Sequence, residues 1–388
     1  MPSRKRNSRP RTSGAGNRLA PVNLHEFEAL ARERVSPPVW AYISGGAADE
    51  VTLRRNRAAY EPILLKPRVL VDVSKLDTRL SLFGQALDFP ILLAPAAYHK
   101  LIHPEGESAT ARGAAAANAT LVVSSFATVA IEKLAQASDA RLWFQLYVQP
   151  DRAFCRDLIQ RAEAAGCQAL VITVDTPVAP TRDRELRAPL KLPRGVTMEN
   201  LRPLWSAAAR RRSSRREIAP ASVQPTSSQP YAAVLDPALD WRTLEWLRAC
   251  AKTPVLLKGI LAPQDARRAA ESGADGIIVS NHGARNLDTA PASIEALPLV
   301  AEAVASRIPI LLDGGIRRGT DVMKALALGA QAVLIGRPYL WGLAANGADG
   351  VRAVVEMLRR ELEVAMALCG VTRLREINRE ILWHPPSC

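Results

Sequence analysis

The sequence predicts a closed (β/α)8, or TIM, barrel, and three observations predict it. Eight short runs of strand length, apolar on both faces, recur along the chain, as expected where a parallel sheet is buried on both sides. Stretches rich in Ala, Glu and Arg with helical spacing separate them, so strand and helix alternate through eight units. None of the runs leads into G-x-G-x-x-G, which sets an open doubly wound sheet well behind the barrel.

Ahead of the first run, residues 22–60 read as a helical cover, with NLHEFEALARERV as an amphipathic stretch. The eight runs are Pro90–Ala94, Thr120–Val123, Leu142–Tyr147, Ala169–Val174, Pro254–Lys258, Gly276–Ser280, Pro309–Leu312 and Ala332–Ile335. Helical patterns between them include Gly106–Asn118, Arg152–Ala165, Pro263–Ser272, Ser293–Ala305 and Thr320–Leu328. Asp151 and Asp321 stand where a carboxylate meets the unpaired N–H groups of a helix start. After the fourth strand comes a long excursion, residues 176–239, before a helix begins near Trp241. Within it, residues 206–228 read as mobile. The barrel domain therefore spans 22–388, behind a disordered basic tail at 1–21.

Composition excludes several classes. A hydrophobic share of 48% fills a sizeable core, and no stretch approaches the ~18 uninterrupted apolar residues of a membrane-spanning helix. The basic N-terminus lacks the apolar segment of a secretory signal. Five scattered cysteines without a C-x-x-C pair argue against a disulfide framework or a zinc site, and favour a reducing, cytoplasmic compartment. The net charge of +13 is local: residues 1–21 hold six basic groups and no acid, RRRSSRRE nets four more, and the remainder carries +3. Such runs are usually solvated chain. No aromatic residue interleaves with them, which disfavours nucleic acid, and membrane contact is left only to these segments.

A barrel confines chemistry to the C-terminal ends of its strands. Strand one leads into Ala94-Pro95-Ala96-Ala97, and strand two ends in Ser124-Ser125. Strand three carries Gln145 and Tyr147, strand four Thr173 and Asp175, and strand five Lys258-Gly259. Strand six runs into SNHGARNLD, strand seven into DGGIRRG and strand eight into IGRP. The last two exits place Asp313, Gly314, Gly315, Arg317, Gly336 and Arg337 where loops of this fold hold phosphate, because glycines let backbone N–H groups approach an anion. Tight turns alone explain one such loop, but hardly two on adjacent strands.

A lone histidine is more often a satisfied structural group than a catalyst, and His99 and His103 are read that way. His282 differs, since it leaves a strand beside Arg285, a side chain suited to gripping a carboxylate. Lys258 would ordinarily be a surface side chain; at a barrel mouth it can face an anionic cofactor.

SNHGARNLD, LLDGGIRRGTDVMKALALGA and IGRP, together with AYISGGAADE, ILLAPAA, HPEGE, FQLYV and VITVDTP, resemble the FMN-dependent α-hydroxy acid oxidases and dehydrogenases over roughly residues 22–383. The resemblance implies FMN at the barrel mouth. Pro95, Ala96 and Ala97 would lie along its ring system, and Ser124, Gln145 and Thr173 at the ring edge. Lys258 would sit near N1 and O2, and Asp313, Gly314, Gly315, Arg317, Gly336 and Arg337 would hold ribityl and phosphate. It further implies that Arg182 and Arg285, helped by Tyr42, clamp a substrate carboxylate. Tyr147 would bond the substrate's hydroxyl or carboxylate. His282 would take the proton, with Asp175 behind it.

Arg184 and Arg187 compete with Arg182 for the clamp, because Pro180-Thr181 stand where the family usually shows Gly-Arg. By the same resemblance Ala179 and Phe126 face the substrate's side chain and Tyr98 follows the first strand; the small Ala179 leaves room beyond a glycolate-sized group, which points to lactate or a somewhat longer aliphatic acid. The implied reaction takes an L-2-hydroxy acid to the 2-oxo acid, with O2 reoxidising the flavin to give hydrogen peroxide. The alternatives are a dehydrogenase passing electrons to a quinone or carrier protein, and a flavin-dependent isomerase. A homotetramer is implied as well.

Overall fold

The structure, a computed structural model, describes residues 20–203 and 235–383. A hairpin comes first, β1 (Leu80–Leu82) and β2 (Gln85–Leu87), then β3 (Ile91–Leu93), β4 (Thr120–Ser124), β5 (Arg141–Leu146) and β6 (Leu170–Thr173). These are followed by β7 (Val255–Ile260), β8 (Gly276–Val279), β9 (Ile310–Asp313) and β10 (Ala332–Ile335). Strands β3 to β10 pair in sequence order as a closed barrel, and β10 shuts it by parallel pairing of Leu334 with Leu92. Each of the eight apolar runs is a strand, for the reason that marked it: one set of alternate residues fills the barrel and the other meets the helices. Leu92, Val122, Trp143, Val171, Leu256 and Ile278 belong to the interior cluster, while Ile91, Leu93, Leu121 and Val123 join the outer one.

The hairpin is an addition to the sequence expectation. Leu82 and Leu87 join the interior cluster. Gln85 Oε1 accepts the Trp143 indole N–H at 2.9 Å, and Phe83 meets the Trp143 ring edge-on at 5.7 Å. Phe83 and Gly84 both take positive φ, 51° and 76°, the two-residue turn whose twist suits a hairpin. The hairpin thus plugs the N-terminal end of the barrel and leaves the other end for the site.

Three helices form the expected cover, α1 (Leu24–Arg34), α2 (Pro37–Ser44) and α3 (Val51–Ala58). Asn23 caps α1 by accepting the Glu26 N–H at 3.0 Å, and Leu24, Phe27 and Ala31 are its buried stripe. Outer helices follow the strands: α4 (Glu107–Ala116), α5 (Ile131–Ala137), α6 (Arg152–Ala164), α7 (Asp183–Arg187), α8 (Arg242–Cys250), α9 (Pro263–Glu271), α10 (Ser293–Val304), α11 (Gly319–Ala327) and α12 (Arg337–Leu368). Asp151 accepts the Phe154 N–H at 3.0 Å, and Asp321 accepts those of Arg317 and Arg318 at 2.9 and 3.1 Å, so both acids cap as anticipated.

The described part of the excursion holds α7 and a short 3-10 turn at Glu199–Leu201, pinned where the buried Asn200 Oδ1 accepts the Ile131 N–H at 2.9 Å. The segment read as mobile, 206–228, and residues 1–19 of the basic tail lie outside the described residues. Among the described residues, no helix is long and apolar enough to cross a membrane, and no cluster of His, Cys, Asp and Glu could hold a metal ion.

Candidate active site

The residues that the resemblance assigns to the flavin, the carboxylate clamp and the proton transfer line one cavity at the C-terminal strand ends, except Asp175, which stands behind His282. Its lining comes from the exits of all eight barrel strands, from Ala94 round to Gly336.

His282 owes its place to an unusual turn. His282, Gly283 and Ala284 all take positive φ, 57°, 62° and 62°, a backbone sparsely populated by residues with a Cβ. The surroundings over-determine it. Ser280 Oγ accepts the His282 N–H at 3.0 Å, and Asn281 Oδ1 accepts the Ala284 N–H at 3.1 Å. Asn281 is itself locked amide-to-amide with Asn56 of α3, at 3.0 and 2.8 Å. Neither asparagine was singled out in the sequence.

The turn sets the imidazole between two partners. Nδ1 lies 2.9 Å from Asp175 Oδ1, and Nε2 lies 3.3 Å from the Tyr147 hydroxyl. Thr176 Oγ1, which accepts from the Asn286 amide at 2.7 Å, donates to the same Asp175 oxygen at 2.9 Å. Burial pushes the His282 pKa down; Asp175 pulls it up, Lys258 and Arg182 push it down again, and it ends below the ordinary 6.5. Burial alone would raise Asp175, but His282, Lys258 and the Thr176 hydroxyl outweigh it and hold the carboxyl below its usual range. At neutral pH an ionised carboxylate therefore backs a neutral ring. Nδ1–H points at Asp175, and the Nε2 lone pair is left toward the cavity, the arrangement of a general base.

Beside this base stand two arginines. Arg285 Nη1 donates to the main-chain carbonyls of Tyr42 and, at 3.1 Å, Gly45, and its guanidinium lies 5.0 Å from the Tyr42 ring centroid. Arg182 is buried, and its Nε donates to the Arg285 carbonyl at 2.8 Å. The three arginines that the sequence left in competition differ in direction. Arg184 turns away to Glu50 and Ser44 Oγ, Arg187 is exposed, and only Arg182 of the three lines the cavity. Glu185, which no motif in the sequence marks, accepts from both guanidinium groups through one oxygen, at 3.2 Å from Arg182 and 3.0 Å from Arg285.

The opposite wall is built for an anion. Arg337 donates to the carbonyls of Ile43, Gly283 and Gly45 at 2.9, 2.9 and 2.8 Å, and Arg317 lies over the Trp341 ring at 4.5 Å. Burial, then the neighbouring arginines, push Arg337 down to about 9; burial chiefly pushes Arg317 down to about 10. A guanidinium does not release its proton at neutral pH, so this crowding amounts to a demand for negative charge.

Lys258 Nζ sits 3.0 Å from Asp313 Oδ2 and donates to Ser280 Oγ at 2.9 Å. Burial lowers its pKa, but Asp313 and Asp175 outweigh burial and leave it raised. The other Asp313 oxygen is buried without a protein partner. Gly315 has φ 80°, and a Cβ there would lie 1.9 Å from the Asn56 carbonyl oxygen, so only glycine fits. At Gly336 a Cβ would meet nothing nearer than Ala94 Cβ at 3.9 Å, which keeps that side of the cavity clear. Gln145 Nε2 donates to Thr173 Oγ1 at 3.0 Å, and its Oε1 accepts from Ser124 Oγ at 3.2 Å, a polar edge between strands.

Of the two residues assigned to the substrate's side chain, Phe126 lines the cavity, stacked on Tyr147 at 4.7 Å, but Ala179 does not. Tyr98, which follows the first strand, takes φ 62° and is buried with its hydroxyl on Met198 Sδ at 3.2 Å, outside the cavity lining.

Comparison with known proteins adds a relationship to this geometry. The family model for FMN-dependent dehydrogenase matches residues 31–384. A peroxisomal (S)-2-hydroxy-acid oxidase, GLO4, of Oryza sativa subsp. japonica is 49% identical over 359 residues, covering 92% of this chain and 95% of that protein. An L-lactate oxidase of Nostoc sp. is 47% identical over 367 residues, covering 94% and 98%. Among solved structures, mandelate oxidase with (S)-2-phenylpropionate superposes with a TM-score of 0.82 at 39% identity, covering 94% of this chain and 98% of that one.

Proposed function

The chain belongs to the FMN-dependent dehydrogenase family, and from that premise we propose that it oxidises a small L-2-hydroxy acid, lactate or a somewhat longer aliphatic one, to the 2-oxo acid, with O2 as final acceptor and hydrogen peroxide as co-product. The observation that carries the reading is the neutral His282, backed by Asp175, standing beside the Arg182–Arg285 pair in one cavity. A base and a carboxylate clamp side by side are what an α-hydroxy acid requires.

The residues fit FMN. Arg317 and Arg337 supply the charge a phosphate needs, the orphaned Asp313 oxygen suits a ribityl hydroxyl, Gly336 leaves room, and the backbone of Gly314 and Gly315 lines the same wall. Pro95, Ala96 and Ala97 would form a wall for the ring system and Ser124, Gln145 and Thr173 a polar edge, and Lys258 would set a cation against the negative charge that reduction brings. FMN bound there supplies the acceptor for the two electrons that leave the substrate carbon.

The chain's own residues do the rest. Arg182 and Arg285 hold the substrate carboxylate and Tyr42 packs under the clamp. The Tyr147 hydroxyl, 3.3 Å from His282 Nε2, directs the substrate hydroxyl to that nitrogen. His282 Nε2 takes the proton, and Asp175 stabilises the imidazolium that forms. The oxidase reading leads over a dehydrogenase because the relatives are named oxidases of 2-hydroxy acids.

The test is anaerobic absorbance of the FMN-loaded protein with L-lactate, followed by air. Bleaching and then fast recolouring with peroxide supports the reading. Bleaching with slow recovery in air would replace O2 by another acceptor, and failure of every L-2-hydroxy acid to bleach would remove the reaction altogether.

A further inference from the structure

We infer that Glu185 is a specificity-determining residue: it sets the charge that the cavity accepts, admitting 2-hydroxy acids with one carboxylate and turning away those with two. The inference rests on the proposed oxidation of 2-hydroxy acids and names the substrate class within it.

Glu185 lies on α7 within a D-R-E-L-R run, a pattern that would ordinarily be a solvated face. It is instead 4% exposed. One oxygen, Oε1, joins Arg182 Nη1 at 3.2 Å and Arg285 Nη2 at 3.0 Å, bridging side chains that come from loops after different strands. The two arginines bring two positive charges and Glu185 returns one negative, so the clamp offers a net single charge, enough for one carboxylate.

Among the described residues, the other cations that line the cavity are already engaged, Arg317 with the Ile316 carbonyl at 2.9 Å and the Trp341 ring. Lys258 is paired with Asp313, and Arg337 is turned to main-chain carbonyls on the opposite wall. A second carboxylate on the ligand would therefore meet the buried Glu185 charge without a cation set against it. In a medium with an effective dielectric of about 20, two like charges some ~8 Å apart change affinity by more than a factor of ten. Glu185→Gln keeps an acceptor oxygen for both arginines and removes only the charge, so geometry and charge separate.

The experiment uses the full-length FMN-loaded protein and calorimetric titration with propionate, malonate and monomethyl malonate, which carry no hydroxyl to oxidise. It is run above neutral pH, where malonate is doubly charged. The wild type is expected to bind monomethyl malonate at least ~10-fold more tightly than malonate. In Glu185→Gln the malonate-to-propionate affinity ratio should rise by ~10-fold or more, and L-malate should gain on L-lactate in anaerobic bleaching. Glu185→Asp retains the charge and should retain the wild-type ratio even if both acids bind less tightly. An unchanged ratio in Glu185→Gln would show that Glu185 only props the arginines and overturn the inference. If that variant does not fold, equal wild-type binding of malonate and its monomethyl ester overturns it instead. Loss of the oxidation reading leaves a different trace, since no hydroxy acid would bleach the wild type while the binding ratios could still be measured.

Discussion

Asp175→Asn removes one charge and almost no volume from behind the base. Asp175 Oδ1 lies 2.9 Å from His282 Nδ1, and the two side chains are 13% and 19% exposed. With charge centres about 4 Å apart and an effective dielectric near 20, the imidazolium loses about 3–4 kcal/mol of stabilisation, or two to three decades in rate. The tautomer should survive, because Thr176 Oγ1 donates to the same Oδ1 and orients an amide oxygen toward Nδ1–H.

The pH dependence moves the other way from the rate. Asp175 raises the His282 pKa against burial, so without it the ring titrates lower still and the acidic limb shifts to lower pH. The assay is stopped-flow bleaching by L-lactate under anaerobic conditions across pH, with propionate affinity and flavin content as controls. A plateau within about tenfold of the wild type, or an acidic limb shifted upward, would refute the argument that Asp175 stabilises the protonated base.

The same geometry makes further predictions. Arg182→Lys should raise the KM for L-lactate by roughly tenfold or more, because an ammonium lacks the planar fork, while Arg184→Ala, whose side chain faces Glu50, should leave kcat/KM nearly unchanged; equal effects in steady-state assays would reject the assignment. Arg337→Ala should weaken FMN relative to riboflavin by about ten- to a hundredfold in fluorescence titrations, and equal losses for the two flavins would detach Arg337 from the phosphate. Leu82→Ala should cost about 2–5 kcal/mol in denaturant unfolding yet leave flavin bleaching unaltered, since Leu82 plugs the far end of the barrel; an altered bleaching rate contradicts that separation. Arg182 holds the His282 pKa down, and a bound carboxylate offsets that push, so the acidic limb at saturating substrate should lie at higher pH than the limb of kcat/KM; coincident or reversed limbs would exclude the coupling.

The barrel was legible because its strands are apolar on both faces and its polar residues crowd the exits. Lys258, His282 and Asp313 announce themselves by leaving otherwise apolar strands. The plugging hairpin carried a weaker signal, a Phe83-Gly84 turn between short alternating runs, which three-residue strands do not sustain. Glu185 and the Asn56–Asn281 lock were hidden for another reason. Their partners lie 100 and 225 residues away, and no local spacing distinguishes a bridging carboxylate in D-R-E-L-R from a solvated one. Choosing Arg182 over Arg184 needed the fold too, because the two differ by which way a short helix start turns them.

The cover and the barrel meet at the carbonyl end of α2, and that junction links the two halves of the site. Arg285 from the clamp and Arg337 from the anion wall both donate to the Gly45 carbonyl, at 3.1 and 2.8 Å. The negative end of a helix there offsets part of two half-buried charges and fixes both guanidinium groups against one point. Tyr42 is held in the same stroke, since its carbonyl takes an Arg285 N–H while its ring lies beneath that guanidinium. The cations thereby act in two ways at once. Their charge faces the cavity, and burial, joined by the field of Lys258 and Arg182, holds the His282 pKa below its ordinary value. A site assembled from neutral groups could hold the same shapes, but it would have neither the grip on the acid nor the base waiting beside it.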